Sequence, residues 1–400
     1  MTSGDPFFDP RAIAALRDRI LVACQGLERQ VVLMEVCGTH THAIAAAGLR
    51  RMLPPQVRLI SGPGCPVCVT PVDYLDRAEA LAALPGTIVC TFGDLVRVPS
   101  SRGSLERARA RGARIRVVYS PRDALDAARA DPSTRVVFLA VGFETTAPTI
   151  VAAVEEAERE GVRNFTILPG NKTVPPPLRA LARDPGVRVS GVLLPGHVAV
   201  VTGSREFEFL PAEFGVPAAV VGFTPADVLR GVLDLVEQLR DGRAEVANLY
   251  GRVVAPEGNP HARELLDKFF EPVAASWRGL GTSPASGLAL RPAWAHRDAS
   301  RIEVELPDPV EPEGCRCGEV LKGAIDPPEC PLFARECTPD TPVGACMVSS
   351  ARDQRQTRVD RRVWLSRSQE LSPGASRQNA PAYQDRAPVG LPLRALLGDV

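Results

Sequence analysis

Five of the chain's ten cysteines crowd between Cys315 and Cys346, in CRCGEVLKGAIDPPECPLFARECTPDTPVGAC. Structural disulfides do not persist in a reducing compartment, so thiols this dense point to a metal ion or an iron-sulfur cluster. Their spacing, C-x-C-x(12)-C-x(6)-C-x(8)-C, matches neither the tight C-x(2)-C runs of bacterial ferredoxins nor paired zinc knuckles. A cluster held by scattered cysteines, beside a pair able to form a disulfide, accounts for it. Structural zinc is the main alternative.

A second thiol set lies far upstream. Cys37, in MEVCGTHTH, follows an apolar run and precedes a helix-forming stretch, so it leaves a strand at the end where α/β folds place ligands. A helix amino terminus and a nearby imidazolium would favour its thiolate. With His40 at i+3 it could bind one ion, sulfur and nitrogen together suiting iron or zinc. His42 extends the same motif. The competing reading is a buried cysteine with two histidines satisfied by hydrogen bonds. Cys65 and Cys68, in GPGCPVC, have the spacing of a dithiol that closes to a disulfide with little backbone movement, or of half a zinc knuckle whose second half is missing. Asp94 in TFGDLV, Glu144 in VGFETT and His197 in LPGHVAV are polar residues just past strand ends. Either acid is suited to carry a proton, to orient a metal-bound histidine, or simply to cap a helix.

The elements that must position these residues are legible as short β-branched runs at 31–36, 57–61, 87–92, 115–120, 135–143, 165–168, 189–194 and 218–223. Glycine or proline bounds each run, and helix-length segments separate most of them. That alternation predicts an α/β fold of βαβ units, with parallel sheets covered on both faces. The pattern aromatic-[Ser/Thr]-Pro-x-Asp-x-Leu occurs at 119–125 and again at 223–229, as a duplicated α/β unit or as two independent good helix starts. Beyond about residue 225 the text turns helical, then proline-rich, then cysteine-rich. The expected organisation is a helical segment over 1–30 packing with the third domain, α/β domains over 31–130 and 131–228, a mostly helical, cysteine-rich third domain over 229–350, and a disordered tail over 351–400. The 47 basic residues balance 47 acidic ones, which favours neither nucleic acid nor an anionic membrane as partner. The amino terminus lacks a secretory pattern and the apolar runs are too short to span a bilayer, so the expected location is the cytoplasm.

Taken in order over about residues 10 to 350, the motifs MEVCGTHTHAI, LISGPGCPVCVTP, TFGDLVRVP, VGFETTAPT, LPGHVAVVTG and CRCGEVLKG...ECPLF...CTP...PVGACMVSS closely resemble the HypD family of hydrogenase-maturation proteins. The resemblance implies two similar α/β domains and an iron-sulfur domain. It implies a scaffold that works with the small protein HypC, and with a HypE-type cyanide donor, to assemble the iron atom carrying cyanide and carbon monoxide in [NiFe]-hydrogenase. On this likeness Cys37 is the leading ligand of that iron, with His40 beside it, and Cys65 and Cys68 are a redox dithiol. Cys315, Cys330 and Cys337 carry a [4Fe-4S] cluster, next to a second thiol pair, Cys317 and Cys346. A cluster passes electrons singly whereas a dithiol exchanges two, so thiol pairs beside a cluster can prepare or reset an iron site.

One departure from the family stands out. There, MVSS leads into a short ending with another cysteine and closing tyrosines, but here Ser350 is followed by ARDQRQTRVD and no cysteine follows Cys346. The usual fourth cluster ligand is then missing unless Cys317 or Cys346 substitutes, and an arginine-rich tail is what a shifted reading frame would produce. Two readings from other classes compete with a maturation scaffold: a stand-alone thiol-disulfide oxidoreductase using Cys65 and Cys68, and a zinc-stabilised binding module.

Overall fold

The computed structural model describes residues 9–27 and 29–348, so the expected tail at 351–400 lies outside the described residues. All eight apolar runs fold as strands: β1 (Val31–Glu35), β2 (Val57–Ser61), β3 (Thr87–Thr91), β4 (Ile115–Val117), β5 (Arg135–Ala140), β6 (Phe165–Pro169), β7 (Gly191–Pro195) and β8 (Ala218–Val221). Three further strands, β9 (Val246–Asn248), β10 (Phe270–Trp277) and β11 (Gly281–Leu290), carry no such signal. β9 is only three residues long. The β10–β11 hairpin is rich in alanine, serine, glycine and proline, a composition that does not favour strands.

The strands form two parallel sheets, β2-β1-β7-β8-β9 and β4-β3-β5-β6. Counted within each sheet, both run second, first, third, fourth, so the chain winds the same way twice. This is the α/β fold of two similar parallel sheets that the sequence predicts, but the sheets cut across the expected boundaries. β1 pairs with β2 on one side and, on the other, with β7, which begins at Gly191, and the whole β3–β6 sheet is inserted in sequence between β2 and β7. The division at residue 130 therefore falls inside the second sheet. The repeated motif is also not what the two sheets share. Ser120 and Thr224 each begin a helix with a capping box, closed by Asp123 and Asp227. One follows the second strand of its sheet and the other the fourth, so the motif marks good capping and the strand order carries the repeat.

Helix α1 (Pro10–Ala23) and the helix Pro225–Arg240 cover one face of the first sheet, where Ile20 and Ala23 join Leu33, Val228, Leu229 and Val232 in one buried cluster. The amino-terminal helix thus packs on a helix that falls mostly in the 229–350 range expected for the third domain, but that helix, Pro225–Arg240, covers the first sheet and is not part of the cysteine-rich region. From 241 to 348 the chain adds β9, the helix Pro260–Phe269, the β10–β11 hairpin and then short turns and one-turn helices. This region is less helical than expected, since proline or glycine interrupts it every few residues after Phe269.

Candidate functional site

In a sheet wound in this order, the ligand crevice lies where the first and third strands diverge at their carboxyl ends. In the first sheet these are β1 and β7, which run into Cys37 and His197; in the second they are β3 and β5, which run into Asp94 and Glu144. Cys37 is the N-cap of α2 (Gly38–Ala46) and is half-buried. Its backbone N–H donates to Glu35 Oε2 (3.1 Å), while Thr41 Oγ1 donates to Glu35 Oε1 (2.5 Å). The buried Glu35 carboxylate thereby fixes the first turn of α2 over the end of β1. Burial pushes the Cys37 thiol up to about 11, against the pull of the His40 and Thr39 backbone amides.

The Gly-Cys-Pro-Val-Cys loop closes on the same point from β2. Gly38 N–H donates to Gly64 O (2.9 Å), and a methyl group on Gly64 would fall on the Val36–Cys37 peptide. A methyl on Gly38 would stand 3.7 Å from Cys65 Cβ. Cys37 and Cys65 therefore adjoin at the ends of neighbouring strands. Cys65 and Cys68 are buried, and the Cys68 N–H donates to Cys65 Sγ (3.3 Å).

His40 is fully buried. Its Nε2 donates to the Gly222 carbonyl (3.0 Å), which leaves Nδ1 with a lone pair and no hydrogen-bond partner among the described residues. Burial pulls it down to about 4, so the ring is neutral at physiological pH. It stacks on Phe223 at 4.6 Å, and Phe223 stacks on His197 at 3.8 Å. A neutral imidazole with an unused nitrogen is suited to metal ligation. His42 lies partly buried further along α2. Asp94 stands apart, exposed on the 3-10 turn Gly93–Arg97; burial of part of its surroundings raises it and Arg97 opposes the shift.

Glu144 is buried in the other crevice. Its Oε1 accepts the Val174 N–H (2.8 Å), whereas Oε2 has no hydrogen-bond partner among the described residues. Burial pushes this carboxyl from 4.5 to about 7. The folded state holds the proton that the unfolded chain releases, so the protein loses stability as pH rises from 4.5 through 7, by about 3 kcal/mol in all. Glu144→Gln keeps the Val174 bond and cannot ionise. Its melting temperature is expected to exceed the native one at pH 8 and to match it near pH 4, and equal values at both pH settings would contradict this.

The five carboxy-terminal cysteines line one pocket, together with Val320, Pro327, Leu332, Phe333 and Met347. Cys317 Sγ lies 2.9 Å from Cys346 Sγ and also hydrogen-bonds Cys315, and a methyl on Gly344 would meet the sulfurs of both Cys317 and Cys315. The bond to Cys317 and burial raise the Cys315 thiol. Among the described residues no three cysteine, histidine or carboxylate side chains meet as a ligand set for a single ion. Soft sulfur donors spread around an apolar pocket fit a multi-iron cluster better than one zinc ion. The segment just after Cys317 packs on the first sheet, since Gly323 lies against Met34 and Ile60 of β1 and β2, and Leu321 belongs to the same buried cluster as Cys68 and Trp277.

Glu35 is a site residue that the spacing of motifs did not reveal, although it had a signal, an acid at the end of an otherwise apolar buried strand.

Comparison with known proteins agrees with the motifs. Residues 11–352 match the model of the HypD family, described as the hydrogenase formation hypA family. The chain is 44% identical over 349 residues to the hydrogenase maturation factor HypD of Rhodobacter capsulatus, covering 84% of this chain and 90% of that protein. It is 44% identical over 354 residues to HypD of Azotobacter vinelandii (86% and 93%) and 43% identical over 340 residues to HypD of Escherichia coli K12 (84% and 91%). With a family match over most of its length and relatives covered almost end to end, the chain belongs to the HypD family of hydrogenase formation proteins.

Proposed function

We infer that the protein is a hydrogenase-maturation scaffold on which an iron atom, its cargo, acquires cyanide and carbon monoxide. It would do so in complex with a HypC-type partner and with cyanide from a HypE-type donor. The observation that carries this reading is the meeting of Cys37 and Cys65 at the carboxyl ends of β1 and β2, with His40 one turn along α2 carrying a neutral ring whose Nδ1 has no hydrogen-bond partner among the described residues. Cys37 is half-buried whereas Cys65 and Cys68 are buried, so of these three cysteines it is the one best placed to share iron with a partner's thiolate. Cys65 and Cys68 lie underneath, where opening a disulfide between them would take up two electrons and two protons. Cys315, Cys330 and Cys337, with Cys317 or Cys346 in the fourth place, would hold a [4Fe-4S] cluster, which when bound supplies single-electron transfer.

A stand-alone dithiol exchange enzyme would present its attacking sulfur to solvent, which the burial of Cys65 and Cys68 opposes. The test is anaerobic co-purification with a HypC-type partner, followed by iron and sulfide analysis and infrared spectroscopy. Iron in excess of the sulfide-matched amount, with cyanide and carbonyl stretching bands, is the expected result. A complex without that extra iron and without the bands would overturn the reading. Among the described residues no helix is long and apolar enough to cross a membrane.

A further inference from the structure

Between the two thiol centres stands the tip of the β10–β11 hairpin. Its loop, Arg278-Gly279-Leu280, is a three-residue turn with Gly279 in the left-handed region at φ +73°, closed by Leu280 N–H donating to Trp277 O (2.9 Å). On one side the Arg278 N–H donates to Val69 O (3.0 Å), one residue past Cys68. On the other, Gly279 and Gly318 touch backbone to backbone, so that a side chain on either would penetrate the other, one residue past Cys317.

The Arg278 side chain is 2% exposed, and its guanidinium has two further anchors. Nη1 donates to Pro99 O (2.9 Å), while Nε and Nη2 face Glu311 Oε2 at 3.0 and 2.9 Å. Pro99 follows the 3-10 turn behind β3, and Glu311 lies on the strand of chain that leads into Cys315. One buried residue therefore ties the Cys65–Cys68 loop, the second sheet and the approach to the cysteine-rich pocket. Placing an arginine this deep is costly even with the Glu311 carboxylate beside it, which argues that its geometry serves more than stability.

We propose that Arg278 is a positioning residue, a strut that with Gly279 sets the distance between the Cys65–Cys68 dithiol and the cysteine-rich centre so that electrons pass between them. This rests on the functional reading given above, which names the two centres but no residue joining them.

The test uses the full chain, purified anaerobically, as native protein, Arg278→Ala, Arg278→Lys and Glu311→Gln. The first readout is the rate at which N-ethylmaleimide modifies Cys65 and Cys68 in the reduced protein, located by peptide mass mapping. With the loop released, Arg278→Ala is expected to react about tenfold faster, and Arg278→Lys, which keeps a cation beside Glu311, to fall between. Glu311→Gln, at an exposed partner, keeps the fold intact and is expected to react faster than native protein even if Arg278→Ala proves insoluble. The second readout begins with the Cys65–Cys68 disulfide and adds dithionite, which is oxidised to sulfite and supplies the two electrons. Water supplies the two protons as the S–S bond breaks to two thiols. Reopening is expected to slow about tenfold in Arg278→Ala. Native rates of both reactions in the Arg278→Ala and Glu311→Gln proteins would overturn the strut. A Cys315→Ser protein separates the two levels: reopening at the native rate there would refute the relay itself, and the alkylation rates would still decide whether Arg278 holds the loop.

Discussion

Alanine at Cys37 is expected to empty the complex of its cargo iron, leaving less than about a tenth of the native amount by metal analysis, because one soft thiolate is the anchor on which the rest of the coordination depends. The geometry makes Cys37 hard to replace. Cys65 and Cys68 are buried and, in the proposed reading, form the redox dithiol, and His40 offers one nitrogen from a fully buried ring. Among the described residues the other cysteines at this end of the first sheet, Cys65 and Cys68, are buried, which leaves Cys37 as the sulfur to be shared with a partner protein. The loss should not reflect unfolding, since Cys37 is half-buried and the Glu35 carboxylate keeps its bond to the backbone N–H of residue 37. Cys90→Ala serves as the comparison, removing a sulfur buried within β3 in the second sheet, and should retain iron. Iron content near native in the Cys37→Ala complex would mean that Cys65 or an outside ligand holds the metal, and the assignment of the iron site would fall.

The parallel strands other than β9 were readable because each is a short apolar run, most of them covered on both faces, so burial writes them into the sequence; β9, three half-buried residues at a sheet edge, leaves no such mark. Which strands share a sheet was not readable. After β2 the chain leaves to build an entire second sheet before returning as β7, and no local pattern marks a return across more than a hundred residues. The repeated helix start at 119–125 and 223–229 misleads for a related reason: capping is dictated by the first turn of a helix, whatever strand comes before.

The site divides in the same way. Cys37, His40, Cys65 and Cys68 could be picked out because their residue types and spacings are themselves chemistry. The structure adds that the two motifs share one edge, the ends of β1 and β2. Asp94 shows the limit of strand-end reasoning. It occupies a crevice, but that of the other sheet, where Glu144 is the buried acid and Asp94 faces solvent near Arg97. Glu35 and Arg278 matter through what they hold in place, and that depends on partners the sequence does not name.

The close approach of the two motifs can be tested with a single methyl group. Gly64 has an ordinary backbone conformation, so alanine there faces no φ penalty; what it lacks is space, since its Cβ would overlap the carbonyl carbon and oxygen of Val36 and the nitrogen of Cys37. Backbone cannot rotate away as a side chain can. Either the loop after β2 or the start of α2 must move, and the Gly38 N–H to Gly64 O bond is lost with it. Gly64→Ala is expected to destabilise the protein by about 3 kcal/mol or more, at the upper end for overpacking, in urea denaturation. Gly251→Ala, with its nearest neighbour at 3.9 Å and no positive φ, should stay within about 0.5 kcal/mol of native. In whatever fraction of Gly64→Ala folds, a displaced loop separates Cys37 from Cys65, so iron retention should fall as it does for Cys37→Ala although every thiol is still present. Native stability and native iron content in Gly64→Ala would show that the two strand ends do not meet as described, and the functional reading would lose the contact on which it rests.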